Sequence, residues 1–202
     1  MNADVLSHIR SCQHCAEGKT PTGRGCHTPG HIATPPRSEG QCIHIDWCKM
    51  PRNGEYDCIL TIIDRCTHFV VFVPCRTTDT CSSIIQSLEL NWVSWLGMYP
   101  HTIISDNEVR LGHLFKRWCR VHNIEHKTTT NHHPQSNGLC ETQHRTLLLL
   151  LRTHLREQRK EKAWIEALPF VQRAINSTAA RTGVAPYDAL YGRERNIAQS
   201  CL

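Results

Sequence analysis

The sequence predicts an α/β domain in which helices cover a mixed five-stranded sheet. Residues 42–48 alternate between apolar and more polar side chains, and this period of two indicates a β-strand. Between Thr80 and Leu96 the apolar residues recur at helical spacing instead. The predicted order is three strands, a helix, a strand, a helix, a strand and then helices. A chain of 202 residues has room for one such domain and a short appendage.

The first three strands are predicted to be antiparallel. A turn at 51–54 follows the first strand, whose alternation predicts one buried face and one polar face. Apolar, β-branched runs at 58–63 and 69–73 predict the second and third strands. The linker between them, 64–68, is short enough for a hairpin.

Two helices and a short strand are predicted next. The helix at 80–96 has an apolar stripe that includes Trp95, and Gly97 suits its C-terminal cap. Residues 102–105 predict the fourth strand. The following helix, at 111–122, has an apolar face formed by Leu111, Leu114, Phe115, Trp118 and Val121.

The C-terminal half is predicted to be mostly helical. A fifth strand at 124–128 leads into residues 129–138, whose polar side chains, proline and glycine predict a loop. A long helix is then expected at about 139–159 and another at about 163–178. A last short helix is expected after Pro186.

The composition excludes two classes of protein. Twelve cysteines suggest a secreted disulfide scaffold, but residues 1–10 contain no apolar signal-peptide core, and Cys58 and Cys75 lie inside apolar runs. Free thiols in a reducing compartment are therefore expected. The longest apolar run, Leu147 to Leu151, is too short to span a bilayer. The net charge of +5 permits a polyanionic partner without requiring one.

Three acids are placed where predicted elements meet one edge of the sheet. Asp46 lies in the first strand, Asp106 follows the fourth strand, and Glu141 lies near the start of the long helix. Each has a structural alternative: a solvated strand side chain, a turn or capping residue, and an acid favoured by the helix dipole. Their combination favours a shared site, and Asp64, Asp79 and Glu108 are competing acids.

Three convergent carboxylates have a known use in phosphodiester chemistry. Two divalent ions held about 3.5–4 Å apart can activate an attacking oxygen and stabilise a leaving oxygen. Mg²⁺ prefers hard carboxylate oxygens and water as its ligands. Because three uncompensated carboxylates repel one another, such a cluster is expected to function with metal.

Several separated motifs resemble the integrases of retroviruses and gypsy-type retrotransposons. The most specific is Thr130-Asn-His-His-Pro-Gln-Ser-Asn-Gly-Leu-Cys-Glu141, which is similar to the family pattern Tyr-His-Pro-Gln-(Ser/Thr)-x-Gly-x-x-Glu. Ile103-Ile-Ser-Asp106-Asn and Ile43-His-Ile-Asp46-Trp resemble the segments that hold the other two acids of the family. Thr61-Ile-Ile-Asp-Arg-Cys-Thr-His-Phe-Val resembles its second and third strands.

The resemblance extends beyond the acids to the helical tail of the family. Segments at 163–169, 174–177 and 182–193 are similar to that tail, so the resemblance covers about 38–196. It implies a ribonuclease-H-like fold and an enzyme that processes DNA 3′ ends and joins them to target DNA. Implied too are two Mg²⁺ or Mn²⁺ ions, element-end and target DNA as partners, a homo-oligomer without a membrane role, and a nuclear location.

The resemblance also implies roles for individual residues. Asp46, Asp106 and Glu141 match the metal-binding catalytic acids of the family. Asn137 matches a polar position near DNA, and His144 and Arg145, one turn beyond Glu141, are candidate phosphate contacts. The loop before Glu141 is expected to move and to close on DNA ends.

Two positions depart from the family pattern. Glu108 stands where the family usually has glycine, and Leu148 stands where a lysine commonly faces DNA. Both changes leave the acids in place but alter their surroundings. They raise a second hypothesis, a weakened or domesticated integrase-derived module that binds nucleic acid without catalysis. A third, an unrelated ribonuclease-H-like nuclease, explains the acids but not the tail.

The N-terminal region resembles part of a zinc domain. Cys12-Gln-His-Cys15 is similar to the second half of the zinc site that full integrases carry, without its paired histidines, so Zn²⁺ there is doubtful. The resemblance predicts a remnant of this domain and a linker at 1–38, the catalytic core at 39–160 and a helical extension at 161–202. The C-terminal β-barrel or chromodomain of the family is not expected in this chain.

Overall fold

A computed structural model describes most of the chain from residue 38 onward. The described residues are 38–106, 111–128, 134–157, 163–179 and 183–192. The strands are β1 (Cys42–Asn53), β2 (Tyr56–Asp64), β3 (Val70–Cys75), β4 (Thr102–Ser105) and β5 (Glu125–Thr128). The helices are α1 (Cys81–Leu88, continued by a π-helical turn Glu89–Val93 and a last turn Ser94–Leu96), α2 (His113–Val121), α3 (Pro134–Glu157), α4 (Trp164–Ser177) and α5 (Pro186–Tyr191).

The five strands form one mixed sheet in the order β3-β2-β1-β4-β5. β1, β2 and β3 are antiparallel neighbours, as predicted, whereas β4 and β5 run parallel to β1. β1 is therefore the central strand, with an antiparallel partner on one side and a parallel partner on the other. The predicted α/β class with a mixed five-stranded sheet is confirmed.

Helices cover both faces of the sheet and create two separate cores. On one face α1 and α2 pack against the sheet through residues that include Trp92 and Phe115. On the other face α3 and α4 pack through residues that include Leu147 and Trp164. Alternate residues of β3 enter opposite cores, because successive side chains of a strand point to opposite faces.

The prediction that β1 has a polar face is wrong. His44 is 4% exposed and Cys48 is 8% exposed, although both lie on the face opposite Ile43 and Ile45. Helix α3 and its neighbours cover that face, so its more polar side chains are enclosed. The alternation in β1 thus reflects two different buried environments.

Some predicted helix faces are also wrong. Trp95 on α1, and Leu114 and Val121 on α2, are exposed instead of buried. The π-helical turn in α1 inserts an extra residue into the helical repeat and ends the stripe at Trp92. Gly97 has the left-handed conformation (φ 68°) expected of a C-terminal cap.

Helix α3 starts five residues earlier than the sequence predicts. Its first residue is Pro134, a position where proline is tolerated because the first amides of a helix have no intrahelical acceptor. Residues 134–138, predicted as part of a mobile loop, are helical. Glu141 therefore lies in the interior of the helix and not in its first turn, which removes the helix-dipole explanation for this acid.

Helix α4 completes the exposed edge of the sheet at β3. The side-chain oxygen of Asn176 accepts a hydrogen bond from the Val70 amide (2.9 Å), and its nitrogen donates to the Val70 carbonyl (2.7 Å). Gln172 accepts from the Phe72 amide (2.7 Å). Asn176 is fully buried, so its amide replaces the strand that β3 lacks.

Asp64 is a structural residue at the β2–β3 turn. Its carboxylate accepts hydrogen bonds from the Gly40 amide (3.1 Å) and from the amide and hydroxyl of Thr67 (2.9 and 2.7 Å). It pairs with Ile43, at the end of β1 opposite to the end that follows Asp46. Asp79 similarly accepts from the Arg76 amide in its own turn. Neither belongs to a site with Asp46.

All described cysteines are free thiols, and Cys58 and Cys75 are buried as predicted.

No helix among the described residues is long and apolar enough to cross a membrane. Cys12 and Cys15, with the whole predicted zinc remnant, lie outside the described residues, as does Glu108.

The substitution Asn176→Ala tests the completion of the β3 edge. It removes the partners of the buried Val70 amide and carbonyl, so we expect the free energy of unfolding to fall by about 3 kcal/mol. Asn91→Ala is the matched control, because the Asn91 amide only donates to a carbonyl within its own helix. Chemical denaturation measures both. Equal losses for the two variants would contradict the role given to Asn176.

The substitution Asp64→Ala tests whether this acid is structural. It removes the acceptor of three hydrogen bonds, and we expect a loss of about 3 kcal/mol in the free energy of unfolding. Asp79→Ala, in a more exposed turn, should cost about 1 kcal/mol. Thermal or urea unfolding distinguishes the two. If Asp64→Ala is as stable as Asp79→Ala, the buried turn does not depend on this carboxylate.

Candidate active site at the carboxyl edge of the central strands

Two of the predicted acids lie on adjacent parallel strands. Ile45 of β1 pairs with Ser105 of β4 in parallel register. Asp46 and Asp106 are the residues that follow this pair in the two segments of the chain, so they lie side by side where β4 ends. Parallel strands present equivalent positions to the same edge of a sheet, and this register gives the site its first two carboxylates.

A polar contact supports the chain at Asp106. The Ser105 hydroxyl lies 2.9 Å from Nε2 of His126 on β5 and donates to the carbonyl oxygen of Asp106 (2.8 Å). Ser105 is almost fully buried. Burial lowers the pKa of His126 below its usual value, with a further contribution from the charge of Lys116. The end of β4 is thus tied to β5 immediately before the acid.

Cys140 connects α3 to the central strand. Its thiol lies 3.8 Å from Nδ1 of His44, and both side chains are buried. Burial, together with a smaller contribution from the charge of Arg65, lowers the pKa of His44 to about 4, so the imidazole is neutral at pH 7. Its Nε2 atom has no hydrogen-bond partner among the described residues.

The charges of the three predicted acids act on the thiol of Cys140. Burial raises the pKa of Cys140 strongly, and the charges of Asp46, Asp106 and Glu141 raise it further. The thiol therefore lies within the electrostatic influence of all three carboxylates, and Glu141 is its neighbour in the chain. Asp46 and Asp106 are half-buried, whereas Glu141 is exposed.

The acids do not form a ready-made metal cage. Within the described part of the chain, no group of three His, Cys, Asp or Glu side chains has an arrangement that could hold a metal ion. Mutual repulsion among carboxylates disfavours a closer cluster without a compensating cation. The structure sets Asp46 beside Asp106 through the strand register, and the convergence of all three acids on one site stays a prediction.

His144 points toward the sheet and not toward solvent. Its Nε2 lies 2.9 Å from the Thr61 hydroxyl, and its Nδ1 lies 3.9 Å from Oδ2 of Asp46. Its side chain is 16% exposed, and burial lowers its pKa below the usual value. The phosphate contact proposed for His144 stays a prediction. In the structure the ring lies against two side chains of the protein, Thr61 and Asp46.

The other predicted contacts with nucleic acid differ in their setting. Arg145 is exposed, in agreement with the position of a surface contact. The backbone of Asn137 is helical, but its side chain is not among those that the structure describes. Leu148 is half-buried and packs against the core beneath α3. The roles of Asn137 and Arg145 stay predictions.

Sequence patterns missed the residues that support the acids. His44 and Thr61 lie in strands where alternation alone gives no sign that they face α3. The spacing of Cys140 and His144 by four residues does place them on one helix face, and Leu147 and Leu151 continue that face into the core. This spacing could have predicted that the side chain of His144 faces the sheet.

Comparisons with known proteins identify relatives of this chain. The family model of the integrase core domain matches residues 36–134. Uncharacterized protein K02A2.6 of Caenorhabditis elegans is 33% identical over 143 residues, which cover 70% of this chain and 10% of that protein. The Gag-Pol polyprotein of avian reticuloendotheliosis virus is 25% identical over 193 residues, covering 94% of this chain and 16% of the polyprotein. The chain thus spans only a small part of these relatives.

Solved structures share the fold. A chain of the simian T-cell lymphotropic virus intasome, solved in complex with PP2A regulatory subunit B56 gamma, superimposes with a TM-score of 0.71 at 20% identity, covering 96% of this chain and 68% of that chain. The HTLV-2 integrase catalytic core domain in complex with magnesium gives a TM-score of 0.61 at 18% identity, covering 75% and 97%. These likenesses confirm the predicted ribonuclease-H-like fold. The matched family model and the relatives show that the chain belongs to the integrase core domain family.

Proposed function

We propose that this chain is the core of a polynucleotidyl transferase that processes DNA 3′ ends and joins them to target DNA. The supporting observation is the parallel register of β1 and β4, which sets Asp46 beside Asp106 at the edge that α3 crosses with Glu141. The contact of Cys140 with His44 of β1 supports this arrangement, because it holds the helix residue next to Glu141 against the strand that carries Asp46.

The chemistry of this donor set fits divalent cations. Asp46, Asp106 and Glu141 offer only hard carboxylate oxygens, the ligands that Mg²⁺ and Mn²⁺ prefer. The three acids would hold two such ions, which when bound supply positive charge for the attacking and leaving oxygens of a phosphodiester. The solved HTLV-2 core domain contains magnesium, which supports the same assignment here.

The protein's own part in this reaction is to orient groups. The β1–β4 pairing and the Ser105–His126 contact fix the backbone that carries two of the acids. Helix α3, which packs against the sheet, carries the third acid, Glu141. Water is the attacking group in 3′ processing and the DNA 3′ hydroxyl is the attacking group in joining. Both are in-line displacements, for which fixed positions of the acids lower the cost of alignment.

An arginine stripe on α3 supports DNA as the partner. Arg145, Arg152 and Arg156 follow Glu141 at spacings of four, seven and four residues, so they share its helix face. All four residues are exposed. A phosphate backbone lying along this face would meet three guanidinium groups and then the acidic edge. DNA ends, target DNA and a homo-oligomeric assembly are proposed as partners on this basis and on the family.

A non-catalytic nucleic-acid-binding module is the second candidate. Leu148 favours it, because this residue packs into the core where the family commonly directs a lysine to DNA. The arginine stripe serves either function. The two candidates differ in whether the acids are needed for DNA to react.

A strand-transfer assay tests the proposed chemistry. With Mn²⁺ or Mg²⁺ and an oligonucleotide that carries the end of the parent element, we expect 3′ processing and joining by the full chain. Asp46→Asn, Asp106→Asn and Glu141→Gln should each reduce the rate by at least about 100-fold, the scale of losing one electrostatic stabiliser. Asp79→Asn is the matched control and should react at the parent rate.

The same variants separate the two candidates. Folded protein that binds DNA equally well with and without Asp106→Asn, and yields no product with either metal, would favour the non-catalytic module. Activity that survives all three acid substitutions would place the chemistry elsewhere and contradict the proposed site.

The arginine stripe is tested by the salt dependence of DNA binding. Replacement of Arg145, Arg152 and Arg156 by alanine should weaken binding and reduce the slope of log K against log salt by about 1 for each arginine that contacts phosphate. The matched control replaces Lys116, Arg117 and Arg120 of α2, which are also exposed and change the net charge equally. Equal effects of the two sets would show that net charge, and not this helix face, determines affinity.

A further inference from the structure

His144 lies between one acid of the site and a buried hydroxyl. Asp46 on β1 and Thr61 on β2 are direct cross-strand partners, and their side chains face α3. The imidazole spans this pair, with Nε2 2.9 Å from Oγ1 of Thr61 and Nδ1 3.9 Å from Oδ2 of Asp46. The ring therefore hydrogen-bonds Thr61 and lies beside Oδ2 of Asp46, whose Oδ1 accepts a hydrogen bond from the Trp47 amide (2.8 Å).

The electrostatics of this contact select one tautomer. A neutral imidazole has one N–H donor and one acceptor nitrogen. A proton on Nδ1 faces the Asp46 carboxylate favourably, whereas a lone pair there would face it unfavourably. Nε2 is then the acceptor, and the Thr61 hydroxyl, which is fully buried, donates to it. The Asp46 carboxylate thus selects the N–H that faces it, and the Thr61 hydroxyl, which can donate or accept, adapts to the other ring nitrogen.

A second contact one turn earlier holds the same helix to the same strand. Cys140 lies four residues before His144, and its thiol contacts Nδ1 of His44, two residues before Asp46. Two successive inward positions of α3 therefore touch the strand that carries the first acid. The orientation of His144 is set by this packing and does not depend on a ligand.

We propose that His144 is a positioning residue that orients the Asp46 carboxylate for a divalent cation, with the hydrogen bond to Thr61 holding its ring in place. This inference rests on the proposed metal-dependent function of Asp46. It replaces the role of phosphate contact predicted for His144, because its ring is turned away from the exposed face that carries Glu141 and Arg145. Groups behind metal ligands commonly change metal affinity by 10–100-fold when they are removed.

The experiment measures Mn²⁺ binding to the full chain by electron paramagnetic resonance, with circular dichroism to verify folding. His144→Ala should raise the dissociation constant for Mn²⁺ by roughly tenfold. His144→Asn keeps a polar nitrogen near the position of Nδ1 and should recover most of the affinity. His144→Gln keeps only the group that faces Thr61 and should not. Thr61→Val, which preserves side-chain shape, should weaken binding in the same direction.

Two further variants complete the design. His154→Ala is the matched control, because His154 is a half-buried histidine on the same helix, stacked on Phe170 at 5.7 Å and remote from the acids. It should bind Mn²⁺ as the parent does. Asp46→Asn should remove most of the binding and thereby reports on the proposed function itself.

The outcomes separate the inference from the function. If Asp46→Asn abolishes Mn²⁺ binding but His144→Ala and Thr61→Val bind like the parent, the positioning role is overturned and the proposed function stands. If Asp46→Asn has no effect, or the parent binds no Mn²⁺, the proposed function fails and the inference fails with it. If His144→Ala weakens metal-free DNA binding and leaves Mn²⁺ affinity unchanged, the ring is a phosphate contact and the inference is wrong.

Discussion

The parallel pairing of β4 with β1 is the interaction on which the rest of the site depends. It sets the middle of β1 beside the end of β4, so two acids separated in sequence by β2, β3 and α1 become neighbours. Backbone hydrogen bonds fix this register, and a shift of one residue would turn one of the two side chains to the opposite face. Helix α3 adds the third acid only because its inner face packs on the same central strand.

The sequence predicted the scaffold more reliably than the surroundings of the acids. Strand and helix periods identified all five strands and the order of the helices, since these depend on local patterns. They failed where tertiary packing overrides a local pattern, as at His44, which is polar in type but enclosed beneath α3. The early start of α3 was missed because Pro134 and Gly138 usually indicate a loop, whereas proline is compatible with a first helical turn.

The candidate site shows the same division. Asp46 was placed within the first predicted strand and Asp106 just after the fourth, and the similarity of the segment that ends at Glu141 to a known motif supplied the third acid. The contacts of His144 did not follow, because Thr61 lies on another strand and nothing in the chain order relates it to the helix. Prediction of such contacts requires the register between elements, which one sequence does not contain.

The way in which Asn176 ends the sheet has a consequence for association between molecules. A free β-edge invites another chain to extend the sheet, and this is a common route to aggregation. Here the Val70 amide and carbonyl of the terminal strand are already bonded to the side chain of Asn176, which mimics a peptide group. An incoming strand would have to displace α4 and expose the apolar residues beneath it, so growth of the sheet beyond β3 is blocked by the protein's own helix.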